Sequence, residues 1–263
     1  MTPEEFRAQL TQADMVLVGL GEEFDASSQL NNVQEFTNGR KLLQDRNILW
    51  LLPAWGEYCA EKQKVDVVKK ALEKLSQLLE GKNYFVVSVS TNSNIVSVLG
   101  DRKRLVMPCG SVLAKQCASG CEGEPSPVTA DDRSRLSDYF EKLLFGDPVK
   151  EESALLGKCE QCGGPMVLNN VYADKYNEKG YLEEWQIYTK WLQGTLNRKL
   201  FILELGVSMG FPSVVRQPFE RAAVYNKKAF LCRVNEKIYQ LPQDLLSKGC
   251  GISKNAIDWI SQL

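Results

Sequence analysis

Histidine is absent from the 263 residues of the sequence. This absence excludes every mechanism in which an imidazole acts as general base, and every metal site with a histidine ligand. A bound metal ion would need ligands from cysteine, aspartate, glutamate or backbone oxygen atoms. A proton shuttle near neutral pH would need a carboxylate, a lysine or a cysteine whose pKa is perturbed.

Long apolar runs and an excess of one charge are absent as well. The longest apolar stretches, residues 16–20 and 48–55, are too short to cross a bilayer. The acidic, amphipathic N-terminal segment lacks the features of a secretory signal. The 32 basic and 33 acidic residues nearly balance and form no block of like charge. We therefore expect a cytoplasmic protein that binds neither membranes nor nucleic acids.

Apolar runs alternate with amphipathic segments along most of the sequence. Runs that are apolar on both faces are typical of parallel strands covered by helices on both sides. The pattern therefore predicts an α/β fold with a Rossmann-like parallel sheet and helices on both faces. The predicted strands lie at residues 15–21, 48–53, 84–90, 104–108, 200–205 and 229–234. The predicted helices lie at residues 2–12, 56–79, 182–196, 213–225 and 254–263.

Residues 110–171 interrupt this alternation. They are rich in glycine, proline and cysteine, have no strong apolar strand and contain one charged helix at 131–145. We interpret them as a small domain that is inserted into a main domain formed by residues 1–109 and 172–263.

Four cysteines of the inserted segment form two closely spaced pairs. Cys117 and Cys121 are separated by three residues, and Cys159 and Cys162 by two. Two such pairs can complete a tetrahedral shell of thiolates around one ion, which predicts a zinc-ribbon module. A closed shell has no open position for substrate, so we assign the zinc to folding. Disulfides, buried thiols and an iron–sulfur cluster are the alternatives, although disulfides are rare in a reducing compartment.

A glycine turn, Gly19-Leu20-Gly21, follows the first predicted strand. In a doubly wound sheet the backbone approaches a pyrophosphate at this point. The third glycine of the G-x-G-x-x-G pattern is missing, and Glu22 and Glu23 follow the turn. Carboxylates near phosphates cost energy unless they point away. The turn alone fits a dinucleotide site and a plain strand-to-helix turn equally.

Several motifs together resemble those of the sirtuin family. That family has a glycine turn, a T-Q-N-x-D segment, and an H-G-S motif eight residues before the first zinc cysteine. It also has a C-x2-C-G-G pair, a G-[TS]-S turn and an asparagine that contacts the adenosine ribose. In the same order, the matching positions here are residues 19–21, 90–94, 109–111, 159–164 and 206–208, and Asn235.

The sequence most resembles the divergent bacterial branch of macrodomain-linked sirtuins. The segments that carry this likeness are residues 162–167, 204–209 and 216–220. That branch lacks the catalytic histidine, whose place is taken by Cys109 in this sequence. It transfers ADP-ribose to a carrier protein that bears a lipoyl group, rather than removing acyl groups. The resemblance implies NAD as cofactor and a macrodomain protein as a further partner.

The resemblance also implies which residues act on NAD. Asn92 and Cys109 are the implied catalytic residues. The implied NAD contacts are Gly19, Gly21, Asn92, Asn94, Gly206, Ser208 and Asn235. The transition state for nicotinamide loss is cationic at C1′ of the ribose, and the Asn92 amide would help to place an electron-rich oxygen beneath it. Asn94 stands where the family has an aspartate, so it can hydrogen-bond but supplies no charge.

Cys109 is a poor replacement for an imidazole base. An unperturbed thiol titrates at about 8.5, so most of it is protonated at neutral pH. A neighbouring cation such as Lys115 or Arg104 would lower this pKa. Cys109 equally fits a small apolar filler, Asn92 fits a turn residue, and Arg216 fits either a solvated helix charge or an anion contact.

These features predict an NAD-dependent enzyme that breaks the bond between nicotinamide and ribose. Because no imidazole base exists, ADP-ribosyl transfer to a protein is favoured over deacylation. The acceptor would be an acylated lysine or a lipoyl carrier protein. The alternative is a weak or inactive sensor or scaffold that binds NAD or ADP-ribose, motivated by Glu22, Glu23, Asn94 and Cys109. A zinc-ribbon interaction module on an inert α/β domain would leave Asn92 unexplained.

Overall fold

The computed structural model describes residues 1–101, 103–145, 152 and 155–263. The strands are β1 (Met15–Leu20), β2 (Tyr84–Ser88), β3 (Leu105–Val106), β4 (Gly110–Cys117), β5 (Ser126–Pro127), β6 (Met166–Asn170), β7 (Leu200–Leu205), β8 (Phe230–Val234) and β9 (Gly249–Ile252). The helices are α1 (Pro3–Gln12), α2 (Gln34–Asp45), α3 (Leu52–Lys62), α4 (Val67–Leu78), α5 (Ser93–Leu99), α6 (Ala130–Phe145), α7 (Lys179–Gln193), α8 (Arg216–Tyr225) and α9 (Ala256–Ser261). None of the helices in the described ranges is both long and apolar enough to cross a membrane.

The main sheet has the strand order β3-β2-β1-β7-β8-β9, and all of its neighbouring strands run parallel. β1 lies at the centre because each of its residues is apolar or glycine, so both of its faces are buried. The strand order proceeds outward from β1 through β2 on one side and through β7 on the other. Such a reversal leaves a crevice at the carboxyl ends of the strands, where open α/β sheets bind ligands. The predicted α/β fold class is confirmed.

Two apolar layers cover the faces of the main sheet. One layer contains α1, α4, α5 and α9, and the Phe6 ring packs edge-on against Trp259 with 5.1 Å between centroids. The other layer contains α7 and α8, whose Tyr188 and Phe219 are buried against the opposite face. The sheet is therefore enclosed on both sides, as its two-sided apolar strands require.

A third apolar cluster lies between α2, α3, α6 and the small sheet. Trp55 of α3 is fully buried, and its indole N–H donates to the Phe36 carbonyl at 3.1 Å. The α2 backbone approaches the indole so closely that a Cβ at Gly39 would lie 2.3 Å from the ring. Phe140 of α6 packs against the same indole, and Leu168 of β6 completes the cluster. These contacts hold the inserted segment against the helices that flank the sheet edge.

The inserted segment contains more strand than the sequence predicted. β4 pairs with β5 on one side and β6 on the other, in a small antiparallel sheet. Fully buried and partly exposed residues are interspersed along β4, so no continuous apolar run marks it in the sequence. The prediction that this segment has no strong apolar strand is compatible with β4, because β4 is a strand without a continuous apolar run. The charged helix predicted at 131–145 is confirmed as α6.

Two predictions near residue 50 are also wrong. Residues 48–53, predicted as a strand, form a 3₁₀ turn at Leu49–Leu51 and the start of α3. A short apolar run does not distinguish a strand from buried helix, and Pro53 is tolerated in the first turn of α3. The helix predicted over 56–79 is divided into α3 and α4. Lys64 between them has a φ of 56°, a left-handed conformation that ends a helix.

Candidate functional site

The residues predicted to contact NAD lie together at the carboxyl ends of β1, β2, β7 and β8. Gly21 follows β1 and donates its N–H to the Leu205 carbonyl at the end of β7, at 2.8 Å. Asn92 follows β2, and its side chain reaches back to the turn after β1. Asn235 follows β8 and donates to the Val207 carbonyl at 3.2 Å. They lie at the edge of the sheet where the strand order reverses, and we therefore take this edge as the candidate site.

The glycines of the two turns allow a close approach of two backbones. A Cβ at Gly21 would lie 2.1 Å from the Gly206 carbonyl oxygen, and Gly206 itself has a φ of 62°. Both positions therefore require glycine. Position 19 requires glycine for a different reason: a Cβ there would lie 2.4 Å from Val215 and 2.7 Å from the Phe219 ring. Gly19 serves the packing of β1 against α8.

Glu22 occupies the turn that the sequence assigned to phosphate. Its carboxylate accepts hydrogen bonds from the Ser208 backbone N–H at 2.8 Å and from the Ser208 hydroxyl at 2.6 Å. A carboxylate on these donors takes the position that a phosphate oxygen would need. The Glu23 side chain packs against Gly206, where a Cβ would lie 2.5 Å from the Glu23 Cβ, and its Oε2 accepts the Ala256 N–H at the start of α9, at 2.6 Å. Burial raises the pKa of Glu23. Of the two neighbouring acids, Glu22 is the one that occupies the Ser208 donors.

The Asn92 side chain is fixed by hydrogen bonds at both ends of its amide. Its Nδ2 donates to the Phe24 carbonyl at 2.9 Å, and its Oδ1 accepts the Asn94 N–H at 2.9 Å as the N-cap of α5. Asn92 is buried, whereas Asn94 is only partly so. The amide is therefore held rigidly at the base of the crevice.

Two carboxylates that sequence reasoning missed hold the segment around Asn92. Asp25 accepts the Ser90 hydroxyl at 2.7 Å and the Thr91 N–H at 3.2 Å, both on Oδ1. Glu57 of α3 accepts the Ser93 N–H and the Ser93 hydroxyl, each at 2.7 Å and one on each oxygen. Neither acid belongs to a recognisable motif. The sequence pointed to such acids only indirectly. A chain without histidine needs a carboxylate, lysine or cysteine with a perturbed pKa for proton transfer near neutral pH.

Burial raises the pKa of both acids. The pKa of Asp25 rises to about 7, mainly because burial disfavours its charge, while hydrogen bonds from Ser90 and Thr91 act in the opposite direction. The pKa of Glu57 is raised by the same cause. Asp25, Glu57, Asn92 and Tyr172 line a cavity of about 30 Å³, which is room for a single water molecule.

Cys109 is buried beside this cavity. Burial raises the pKa of its thiol to about 12, and the charges of Glu22 and Asp25 act in the same direction. The cations that would lower this pKa are engaged elsewhere: the Lys115 ammonium donates to Asp132 at 2.7 Å, and Arg104 donates to the Lys82 carbonyl. Cys109 is therefore a neutral thiol at physiological pH.

A network of buried ion pairs holds the backbone of the Gly206–Ser208 turn in place. Arg216 pairs with Glu204 at 2.9 Å and donates to the Val207 carbonyl at 3.0 Å. Arg233 pairs with the same Glu204 at 2.8 Å. Arg216 is thus not a solvated charge: its Nη2 is committed to the protein, whereas its buried Nε has no hydrogen-bond partner within the described residues.

The four zinc-ribbon cysteines converge at one end of the small sheet. The sulfur atoms of Cys117, Cys121, Cys159 and Cys162 all lie within 4.8 Å of one another. The Cys117 and Cys162 sulfurs are 3.6 Å apart, close to the edge of about 3.8 Å in a tetrahedron with zinc–sulfur bonds of about 2.3 Å. Gly164 donates its N–H to the Cys162 sulfur at 3.4 Å, as thiolate ligands require. The donor set fits a closed structural zinc site.

Comparison with solved structures identifies the architecture. A sirtuin structure from work on substrate affinity aligns with 100% of this chain and 97% of that chain, with a TM-score of 0.56 and 14% identity. A Sir2 mutant in complex with a p53 peptide and NAD aligns over the same shares, with a TM-score of 0.56 and 16% identity. The chain has the sirtuin fold. The resemblance expected from the motifs is confirmed at this level.

Curated sequences similar to this sirtuin-fold chain carry related names. A Staphylococcus aureus protein named protein ADP-ribosyltransferase is 23% identical over 261 residues, which are 92% of this chain and 80% of that protein. A Fusarium oxysporum protein named probable bifunctional ADP-ribose hydrolase/ADP-ribosyltransferase is 30% identical over 146 residues. That match spans 53% of this chain and 23% of the fungal protein. No protein-family model matches the sequence.

Proposed function

We propose that the protein is a sirtuin-type, NAD-dependent transferase that breaks the nicotinamide–ribose bond and transfers ADP-ribose to a protein acceptor. The observation that carries this proposal is the convergence of Asn92, the Gly206–Ser208 turn and Asn235 at one sheet edge of a sirtuin fold. The similarity to the Staphylococcus aureus protein named protein ADP-ribosyltransferase, over 92% of this chain, supports the same activity.

The charges around the cavity suit nicotinamide loss. Breaking the bond leaves positive charge at C1′ of the ribose, and negative groups fixed nearby lower the free energy of that transition state. Glu22 supplies such a group, and Asp25 and Glu57, whose pKa values are raised by burial, supply one when they are ionised. Asn92 is held in place beside Asp25. Because the Asp25 and Asn92 side chains are anchored by hydrogen bonds before any ligand binds, these two groups need little reorganisation during the reaction.

Transfer fits the site better than deacylation does. Deacylation needs a base for a ribose hydroxyl, and the residue in the histidine position is Cys109, whose thiol is protonated at neutral pH. We propose an acceptor protein that carries a lipoyl group or an acylated lysine. A macrodomain protein is proposed as a partner, since the name of the Fusarium relative joins ADP-ribose hydrolase to ADP-ribosyltransferase. We propose the cytoplasm as the location, because the zinc site needs reduced thiols.

The proposed reaction is tested by incubating zinc-loaded protein with NAD and candidate acceptors. We expect nicotinamide release together with a mass increase of the acceptor corresponding to one ADP-ribose. Asn92→Ala should abolish both signals. Asn38→Ala, at an exposed asparagine of α2, is the matched control and should change neither. A folded wild-type protein that releases no nicotinamide with any acceptor would contradict the proposal.

A second candidate function is an NAD or ADP-ribose sensor without turnover. The position of Glu22 on the Ser208 donors and the neutral Cys109 thiol favour it. Titration calorimetry distinguishes the two functions. Binding without nicotinamide release supports the sensor, whereas an absence of binding removes both proposals.

Removing the Glu22 carboxylate is expected to strengthen NAD binding. Glu22→Ala frees the Ser208 N–H and hydroxyl for a phosphate and removes a like charge. We expect the dissociation constant for NAD to fall about tenfold, which corresponds to roughly 1.4 kcal/mol. Glu23→Gln, which changes the neighbouring acid that faces α9, should leave the constant unchanged. Calorimetry that shows weaker binding by Glu22→Ala would mean that Glu22 holds the ligand rather than competing with it.

A further inference from the structure

ADP-ribosyl transfer requires a group that accepts the proton of the acceptor. In the proposed reaction the bond from C1′ to nicotinamide breaks, and its electron pair leaves with nicotinamide. A lone pair of the acceptor forms the new bond to C1′, and the acceptor then loses the proton of its O–H, N–H or S–H group. The sequence contains no histidine, and the Cys109 thiol stays protonated. Another side chain must therefore take this proton.

Of Glu22, Asp25 and Glu57, only Asp25 has an oxygen that accepts no hydrogen bond from the residues that the structure describes. Both oxygens of Glu22 accept hydrogen bonds from Ser208, and both oxygens of Glu57 accept hydrogen bonds from Ser93. The two hydrogen bonds to Asp25 within the described residues both fall on Oδ1. Its Oδ2 is therefore available to a water molecule in the cavity that Asp25 lines, and this water can relay the proton of an acceptor.

The surroundings of Asp25 allow the carboxyl group to exist in both protonation states. The ionisable groups around it are Glu22 after β1, Glu57 of α3, Cys109 before β4, and Tyr172 after β6. None of these four groups is a cation, and the nearest positive charge in this set of interactions is that of Arg40, which acts on Tyr172. Burial raises the pKa of Asp25 to about 7, near the value at which a general base works best.

We infer that Asp25 is the general base of the transfer reaction and accepts the proton of the acceptor nucleophile on Oδ2. This inference rests on the proposed function. It assigns the role of the missing imidazole to a residue of the loop after β1, not to Cys109 at the position of the family's histidine. The proton passes from Asp25 to solvent after transfer, so NAD and the acceptor are the only reactants consumed.

The test compares wild type with Asp25→Asn in steady-state transfer and in NAD binding. An asparagine oxygen can accept the same hydrogen bonds from Ser90 and Thr91, so the segment before Asn92 should keep its shape. The transfer rate kcat should fall by roughly 10²–10⁴-fold, while the dissociation constant for NAD changes less than about twofold. The wild-type rate should fall as the pH drops below about 7, because the base becomes protonated. This inflection should disappear in Asp25→Asn.

Two further measurements separate a base from a purely structural residue. Glu57→Gln changes the neighbouring acid, whose oxygens are both engaged, and it should keep the inflection near pH 7. The folded-state pKa of Asp25 lies above its unfolded value, so its ionisation costs stability as the pH rises through about 7. Asp25→Asn should therefore melt at or above the wild-type temperature at pH 8.

The outcomes are distinct. Full kcat or an unchanged pH profile in Asp25→Asn overturns the inference, and so does a loss of NAD binding by this variant, since Asp25 would then only position the site. If the wild type releases no nicotinamide, the proposed function fails and the inference fails with it. If the wild type is active and the Asp25→Asn variant is equally active, the proposed function stands and only the assignment of Asp25 as the base is lost.

Discussion

Replacing Cys159 with alanine is expected to release zinc and to unfold the small sheet. The purified wild-type protein should contain about one zinc ion per chain, and the variant should contain almost none. Structural zinc sites supply a large part of the folding free energy of small modules, about 10–16 kcal/mol of binding free energy in zinc-finger peptides. This is the largest effect that we expect from a single substitution in the chain.

The contacts around the cysteines explain why the small sheet depends on the metal. Cys117 ends β4, and the Cys159–Cys162 turn lies just before β6, so the ion would join the two strands that form most of the sheet. Without the ion, this end retains the β4–β6 pairing at Cys117 and Met166 and backbone bonds such as the Cys159 N–H to the Gly164 carbonyl at 2.7 Å, which lie at the end of the ladder. Loss of zinc should therefore open the sheet from this end.

Elemental analysis and thermal unfolding measure the effect of Cys159→Ala. We expect the melting temperature to drop by more than about 10 °C, because each kcal/mol is worth about 2–4 °C in a chain of this size. Cys59→Ala is the matched control, since Cys59 is buried in α3 far from the cluster in sequence. It should keep the zinc content of the wild type. A wild-type protein without zinc, or a Cys159→Ala variant as stable as wild type, would disprove the zinc site.

Replacing Glu204 with alanine should have the second largest effect. Glu204 is completely buried on β7 and receives hydrogen bonds from the Arg233 guanidinium at 2.8 and 3.0 Å. It also pairs with Arg216 at 2.9 Å. Removing the carboxylate leaves two buried guanidinium groups short of their counter-charge, although Arg233 keeps Glu220 at 2.7 Å. An uncompensated buried charge of this kind costs about 3–5 kcal/mol.

The free energy of unfolding in urea measures this cost. Glu152→Ala is the control, because it removes the partly exposed Arg46–Glu152 pair at 3.0 Å. Such pairs contribute at most about 1 kcal/mol. Equal losses in the two variants would contradict the assigned importance of Glu204. Since Arg216 also holds the Val207 carbonyl, Glu204→Ala should additionally weaken ligand binding at the Gly206–Ser208 turn.

Much of the main sheet could be predicted from the sequence because its strands are apolar on both faces. β7 was predicted with its observed bounds, Leu200–Leu205, and β1 to within one residue. The prediction failed where an apolar run belonged to a helix: residues 48–53 are apolar because Trp50 and Leu51 are buried in the third cluster, not because they form a strand. A run of apolar residues in the sequence indicates that the segment is buried. It does not indicate which helices or strands bury it.

The candidate site was predictable only as a set of chain segments. Turns after parallel strands must meet at one edge, so the positions of Gly21, Asn92 and Asn235 followed from the fold class. The hydrogen-bond partners of the residues next to them could not be derived from the fold class. The bonds from Ser208 to Glu22 and from Ser90 to Asp25 join residues that are distant in sequence, and no motif encodes them. The role proposed for Asp25 could therefore be inferred only from the three-dimensional arrangement.

The pairing of β1 with β7 also bears on how the polypeptide reaches this state. Met15 lies opposite Leu200, so the central ladder joins residues separated by most of the chain. Closing such a long loop is entropically costly and slow. During translation, one apolar edge of β1 has no partner until β7 emerges from the ribosome, and unpaired edges of this kind promote aggregation. We therefore expect refolding to be slow, as a consequence of placing the first strand in the middle of the sheet.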